Sequence, residues 1–148
     1  MTIKIRLLKS TDLKPESGFW KTLANLAPGK QVSYSQAVRA YQRAKKQGSY
    51  IFVAVDSITN QIVGTVTLLV EQKFIRSLAL AGHIEDVVTR QDFEGRGVAS
   101  KLIKAALKQA KALGCYKVIL DCRKELVGFY GRFGFKVAEV EMKIYFKK

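Results

Sequence analysis

Cysteine, proline, histidine and acid are all scarce in this 148-residue chain: two Cys, two Pro and one His, with 12 Asp+Glu against 26 Lys+Arg. Cys115 and Cys122 flank a stretch that reads as a strand. Seven strand steps put them roughly 23 Å apart, far beyond the ~7 Å reach of a disulfide. Reduced thiols point to an intracellular protein. Two cysteines and a lone His83 do not assemble a four-ligand zinc site without carboxylates, so no metal is expected. No apolar run approaches the roughly 18 residues of a spanning helix, and Met1-Thr2-Ile3-Lys4-Ile5-Arg6 lacks the apolar stretch of a signal peptide. A soluble, unexported protein, cytoplasmic by default and without a membrane span, is the expectation. With 48% hydrophobic residues and so little proline, wholesale disorder is excluded. The length argues for one domain over 1–148.

The shortage of acid leaves a net charge of +14. It is uneven: residues 1–50 carry +8, residues 51–100 carry −2 and residues 101–148 carry +8. A basic surface with an acid-leaning middle suits anionic ligands held beside catalytic carboxylates. It equally suits a nucleic-acid binder whose middle is buried sheet. Charge alone does not choose.

The order of elements is more telling. Ile3 to Leu7 alternates like a strand. Ser10-Thr11-Asp12 offers caps for a helix carrying Phe19, Trp20, Leu23 and Leu26, which Pro28-Gly29 ends. Ser33 and Gln36 form a capping box for a second helix with Ala37, Val38, Tyr41 and Ala44 inward, closed by Gly48. Residues 50–55 and 61–70 read as a hairpin across Asp56-Ser57-Ile58-Thr59-Asn60. A strand from about Gly82 to Thr89 leads through a glycine-punctuated loop to a helix over 98–113. That helix buries Leu102, Ile103, Ala106, Leu107, Ala110 and Leu113, with Lys101, Lys104, Lys108 and Lys111 on its solvated face. A strand from Tyr116 to Asp121, a short helix through Tyr130, and a last strand over 136–146 complete the chain. The fold class is α/β (α+β): a mixed central sheet flanked by helices, in the order β-α-α-β-β-β-α-β-α-β.

Three segments could carry chemistry. Glu94-Gly95-Arg96-Gly97-Val98-Ala99 stands between strand and helix, where glycines and a helix N-terminus cradle phosphates; a plain turn needing positive φ is the alternative. In His83-Ile84-Glu85-Asp86-Val87-Val88 the adjacent carboxylates should point to opposite faces of a strand, leaving at least one inward unless the strand lies at a rim. Such a group is costly unless hydrogen-bonded or used; pairing of Glu85 with a lysine is the bland account. Phe129-Tyr130-Gly131-Arg132-Phe133-Gly134-Phe135 sets a hydroxyl among Phe rings. It is either core or a proton donor.

Together these segments resemble the GNAT superfamily of N-acetyltransferases. Gly82 to Val88, Gly114 to Cys122 and Val127-Gly128-Phe129-Tyr130 are similar to the eukaryotic glucosamine-6-phosphate N-acetyltransferases in particular, as are Lys73-Phe74-Ile75-Arg76 and Glu141-Met142. The resemblance covers residues 50–148 by motif and the first third by element order.

That resemblance implies an enzyme acetylating the amine of glucosamine 6-phosphate from acetyl-CoA, by direct attack in a ternary complex. The cofactor would pair with Val87, Val88 and Thr89 as an added strand does, rest its pyrophosphate on Gly95, Arg96, Gly97, Val98, Ala99 and Ser100, and reach Tyr130. Glu85, Asp86 and Val87 would contact the sugar. Lys73, Phe74, Ile75 and Arg76 would line its phosphate end, Arg76 standing where relatives carry His. Tyr130 would protonate the departing thiolate. Asp121 would orient the amine, with Glu85 among the catalytic residues. Glu94, Leu126 and Tyr145 depart from the family pattern, where Gln or Arg, Asn, and Arg stand; Lys143 or Lys147 are the candidates to replace that last Arg. The family further implies a homodimer with sites completed across the interface. The sequence lacks a basic stretch interleaved with exposed aromatics, so no nucleic-acid partner is expected. A GNAT enzyme for another amine, and a non-catalytic nucleic-acid-binding module, remain the alternatives.

Overall fold

The computed structural model describes residues 2–147. A five-stranded sheet runs β1 (Ile3–Leu7), β2 (Ser49–Asp56), β3 (Gln61–Gln72), β4 (Leu80–Thr89) and β5 (Cys115–Ile119) in spatial order. All neighbours are antiparallel except β4 and β5. Strand β2 shows how the sequence builds both sides. Its run Phe52-Val53-Ala54-Val55 is apolar throughout because both faces are covered, as a central strand requires. Phe52 and Ala54 face helix α4 (Val98–Ala112) together with Val66, Leu68, Ile84, Leu102, Ile103 and Ala106. Val53 and Val55 face α1 (Phe19–Ala24) and α2 (Tyr34–Lys46) with Leu8, Leu13, Phe19 and Ala37.

Helix α2 begins where its caps dictate: Ser33 Oγ accepts from Gln36 N–H at 3.2 Å, and the Gln36 side chain accepts from Ser33 N–H at 2.9 Å. The hairpin turn also forms. Asp56 takes the Thr59 hydroxyl at 2.7 Å, and Asn60 adopts φ 57°. Helix α4 lies close on β3 at Gly64, where a Cβ would stand 2.7 Å from Val98 Cγ1. Its four lysines are exposed and its predicted inner face is buried or half-buried. Cys115 and Cys122 are free thiols. No helix among the described residues is long and apolar enough to cross a membrane.

Two expectations are corrected. The helix predicted from Ser10 onward is broken into 3-10 turns at Ser10–Leu13 and Pro15–Ser17 before α1, and Leu26 is exposed. The reason is local. Asp12 caps only the first turn through Lys9 N–H at 2.8 Å, because its carboxylate is held bidentately by Arg6 at 2.7 and 2.9 Å, and Pro15 restarts the chain. The last predicted strand, over 136–146, does not form. Val137, Val140, Met142 and Ile144 are 77–91% exposed. Its alternation supplies an apolar face, but a strand exists only with a ladder partner, and β5 pairs with β4 alone.

Candidate active site

Parallel pairing of β4 with β5 stops at His83↔Ile119. Strand β4 continues to Thr89, while the chain beyond β5 turns away into a 3-10 turn (Lys124–Leu126) and helix α5 (Val127–Gly131). The two strands therefore part, and one edge of β4 is left unpaired beyond His83. A bulge sharpens the parting. Thr65 pairs with Val88 and Thr67 with Glu85, so Asp86 and Val87 together oppose Val66, and Asp86 takes φ 51°. Such a bulge bends the strand and re-aims its side chains. It also overturns the expectation that one of Glu85 and Asp86 points into the core: both are exposed.

The opening is a cavity of about 620 Å³, lined by Val87, Val88 and Thr89 of β4, Gly95, Gly97, Val98, Ala99 and Ser100 at the start of α4, and Tyr130 of α5. It falls within the ~300–1,000 Å³ range of small-molecule sites. Gly95 (φ 74°) and Gly97 (φ 78°) hold left-handed backbone on either side of Arg96. Helix α4 then starts with no side-chain cap, so its first-turn N–H groups are available to an anion. Phe93, Glu94, Leu126, Phe129 and Arg132 line the same cavity. None of these five was predicted as a ligand. Arg132 was legible only as a cation two residues past Tyr130, and Phe93 carried no signal at all. Arg96 is not among the lining residues; its guanidinium lies over the Phe93 ring at 5.0 Å, and that of Arg90 lies over the same ring at 4.9 Å. Arg90 is fixed in turn by Asp92 at 2.7 and 3.0 Å.

Tyr130 is 93% buried, between the edges of Phe129 at 5.0 Å and Phe135 at 6.1 Å. Burial first, and then the negative potential of Cys122 and Asp121, pushes its phenol above the ordinary value. The group stays protonated at neutral pH, as a proton donor must. The Glu85 carboxyl is pushed up too, by desolvation and then by Asp121 and Asp86, with His83 opposing. Glu85, Asp86 and Asp121 are thus gathered within electrostatic reach of one another, and Glu85 forms no ion pair with a lysine among the described residues.

Behind this cluster, His83 Nε2 lies 2.9 Å from Glu71 Oε1, and Lys73 Nζ lies 3.2 Å from the same oxygen. Hydrogen bonds from His83 and then Lys73 hold the Glu71 carboxyl below its usual range. Past Lys73 the chain makes a single turn, α3 (Ile75–Leu78), in which Arg76, Ser77 and Leu78 are left-handed (φ 50°, 56° and 66°). At roughly 1–2 kcal/mol per non-glycine residue this turn stores on the order of 3–6 kcal/mol. The Arg76 guanidinium rests on the Tyr116 ring at 4.7 Å, and Phe74 and Ile75 are exposed. The four residues expected at the phosphate end therefore separate into Lys73, tied to Glu71, and a protruding strained turn.

Residues 19–135 match the Acetyltransferase (GNAT) family model. The chain is 36% identical over 146 residues to glucosamine 6-phosphate N-acetyltransferase 1 of Oryza sativa subsp. japonica, spanning 97% of this chain and 87% of that protein. The crystal structure of glucosamine-6-phosphate N-acetyltransferase from Arabidopsis thaliana superposes with a TM-score of 0.92 at 33% identity, covering 99% of this chain and all of that one. A Trypanosoma brucei acetyltransferase structure also gives 0.92, at 30% identity, covering 98% and 100% of the two chains.

Proposed function

The chain belongs to the acetyltransferase (GNAT) family, and from that premise we propose that it transfers the acetyl group of acetyl-CoA to the amine of D-glucosamine 6-phosphate, giving N-acetylglucosamine 6-phosphate and CoA. Relatives named for that reaction span nearly the whole chain at 33–36% identity. The observation that carries the reading is the parting of β4 from β5 beside a protonated, buried Tyr130.

The residues present suit an acyl-CoA. The unpaired edge at Val87, Val88 and Thr89 accepts an amide-bearing arm as an extra strand. The uncapped start of α4, with Gly95 and Gly97, accepts the pyrophosphate, and Arg132 adds a cation to the cavity lining. Bound acetyl-CoA supplies the activated acyl group. Asp121 and Glu85 orient the sugar amine and take its proton as the C–N bond forms. Backbone N–H near Val88 stabilises the oxyanion, and Tyr130 delivers its proton to sulfur as the C–S bond breaks. Asp86 and Val87 contact the sugar. Lys73 and Arg76 meet its phosphate, the guanidinium in the bidentate manner that phosphate favours. Glu94 lines the cavity and Arg96 does not, so the start of α4 and Arg132 carry the neutralisation of the pyrophosphate.

The same reading includes a homodimer that completes each site. Residues 136–147 present Val137, Val140, Met142 and Ile144 to solvent, and β5 has one pairing edge unused; a second copy supplies what each lacks. Removal of residues 136–148 should turn a dimer into a monomer in equilibrium sedimentation. A monomeric full-length chain contradicts this part.

The carboxylates at Glu85, Asp86 and Asp121 favour one second reading, a cationic acceptor such as a polyamine. Mass spectrometry of products from a mixture of glucosamine 6-phosphate, spermine and a lysine peptide separates the two. Acetylated sugar phosphate as the main product supports the proposal; acetylated spermine without it refutes the proposal.

A further inference from the structure

The turn that carries Arg76 poses a problem of its own: three consecutive non-glycine residues in left-handed backbone do not hold that shape unaided. The surroundings show what holds it. Gln72, paired with Leu80 at the end of the β3–β4 ladder, directs both protons of its side-chain amide into the loop. Nε2 donates to Lys73 O at 2.8 Å and to Leu78 O at 3.0 Å, joining the first residue of the loop to its last left-handed one. Lys73 N–H donates to Ala79 O at 2.8 Å, closing the neck. Outside the neck, Glu71 fixes Lys73 and the Tyr116 ring carries Arg76.

We propose that Gln72 is a positioning residue for recognition of the sugar phosphate. By bridging the two carbonyls it keeps the Lys73–Ala79 loop left-handed, and so holds the Lys73 ammonium and the Arg76 guanidinium at a set separation. This rests on the reading that those two cations meet the phosphate. Only a side chain with two donors on one atom does this at that position. A carboxylate has no proton to give, and an apolar side chain leaves both carbonyls to water. Gln72 is solvent-exposed, so water competes for its partners and the effect is graded rather than absolute.

Gln72→Met keeps length and flexibility while removing both donors. Loss of two such bonds should raise KM for glucosamine 6-phosphate about tenfold, with kcat and the KM for acetyl-CoA within about twofold. Turnover of unphosphorylated glucosamine should not change, so discrimination between the two sugars shrinks by the same factor. Adding Ser77→Gly, which lowers the cost of positive φ, should restore part of the lost KM. A merely structural role would not confine the loss to the phosphorylated sugar. Independently of any substrate, amide exchange at Lys73, Leu78 and Ala79 should quicken in Gln72→Met. Unchanged exchange overturns the clamp. Faster exchange with undiminished discrimination overturns the positioning role and leaves the function standing. A wild-type enzyme that does not discriminate between the two sugars overturns both the positioning role and the phosphate reading beneath it.

Discussion

Replacing Tyr130 by Phe isolates the proton-delivery step. The substitution removes one hydroxyl and leaves the ring between Phe129 and Phe135, so packing is preserved. Its size follows from the match of donor and acceptor. A departing thiolate has an ordinary conjugate pKa near ~8.5, and a free phenol near ~10. Burial and the neighbouring Cys122 and Asp121 push Tyr130 higher still. Transfer stays uphill even to the free thiolate, which places the contribution at the lower end of general-acid effects, about 10²-fold or roughly 3 kcal/mol. The assay is thiol titration of released CoA at saturating acetyl-CoA, with calorimetric titration of acetyl-CoA and urea unfolding as controls. The account predicts kcat down about 100-fold, with acetyl-CoA affinity and the unfolding midpoint nearly unchanged. Because the pKa is raised, the wild-type alkaline limb lies above the ordinary tyrosine value, and the variant loses it. A kcat within about threefold of wild type, or lost affinity at undiminished turnover, refutes the assignment.

Three further perturbations test other links. Arg76→Ala should raise KM for the sugar phosphate about tenfold or more while leaving acetyl-CoA binding alone; equal losses for both ligands mean that Arg76 is misplaced. Gly64→Ala sets a Cβ 2.7 Å from Val98 Cγ1 and 3.0 Å from Leu102 Cδ1. It should cost about 1–3 kcal/mol of stability by overpacking, read as a lower urea midpoint. Asp12→Asn tests the Arg6 pair. Burial opposes ionisation of Asp12, but hydrogen bonds from Arg6 and from Lys9 N–H outweigh it and hold the carboxyl below its ordinary value. Its stabilisation is therefore present above the unfolded pKa near ~3.9 and disappears as pH falls through the lower folded value. At neutral pH the variant should lose about 2 kcal/mol, and the difference from wild type should vanish in strong acid. A difference that persists there contradicts the linkage.

What could be read from the residues was what neighbours along the chain decide. The Ser33/Gln36 capping box, the Asp56 turn and the inner face of α4 each depend on a few adjacent positions, and each stands as expected. What depends on distant partners was not readable. Asp12 looks like a helix cap until Arg6 takes its carboxylate. The alternation of Val140, Met142 and Ile144 shows an apolar face without showing what it pairs with. At the site, Glu85-Asp86 in a regular strand would straddle the sheet; the bulge opposite Val66, invisible in residue type, turns both outward. Phe93 and Arg132 line the cavity from the turn before α4 and from the end of α5, two segments far apart in sequence.

The central claim is that one pocket joins acyl transfer to recognition of a phosphate. The ratio of kcat/KM for glucosamine 6-phosphate to that for glucosamine, measured by CoA release, tests it most directly. Charge-assisted hydrogen bonds from Lys73 and Arg76, at about 1.5–3 kcal/mol each, predict a ratio of about 10² or more. A ratio near one, with acetyl-CoA turned over at full rate, contradicts the account.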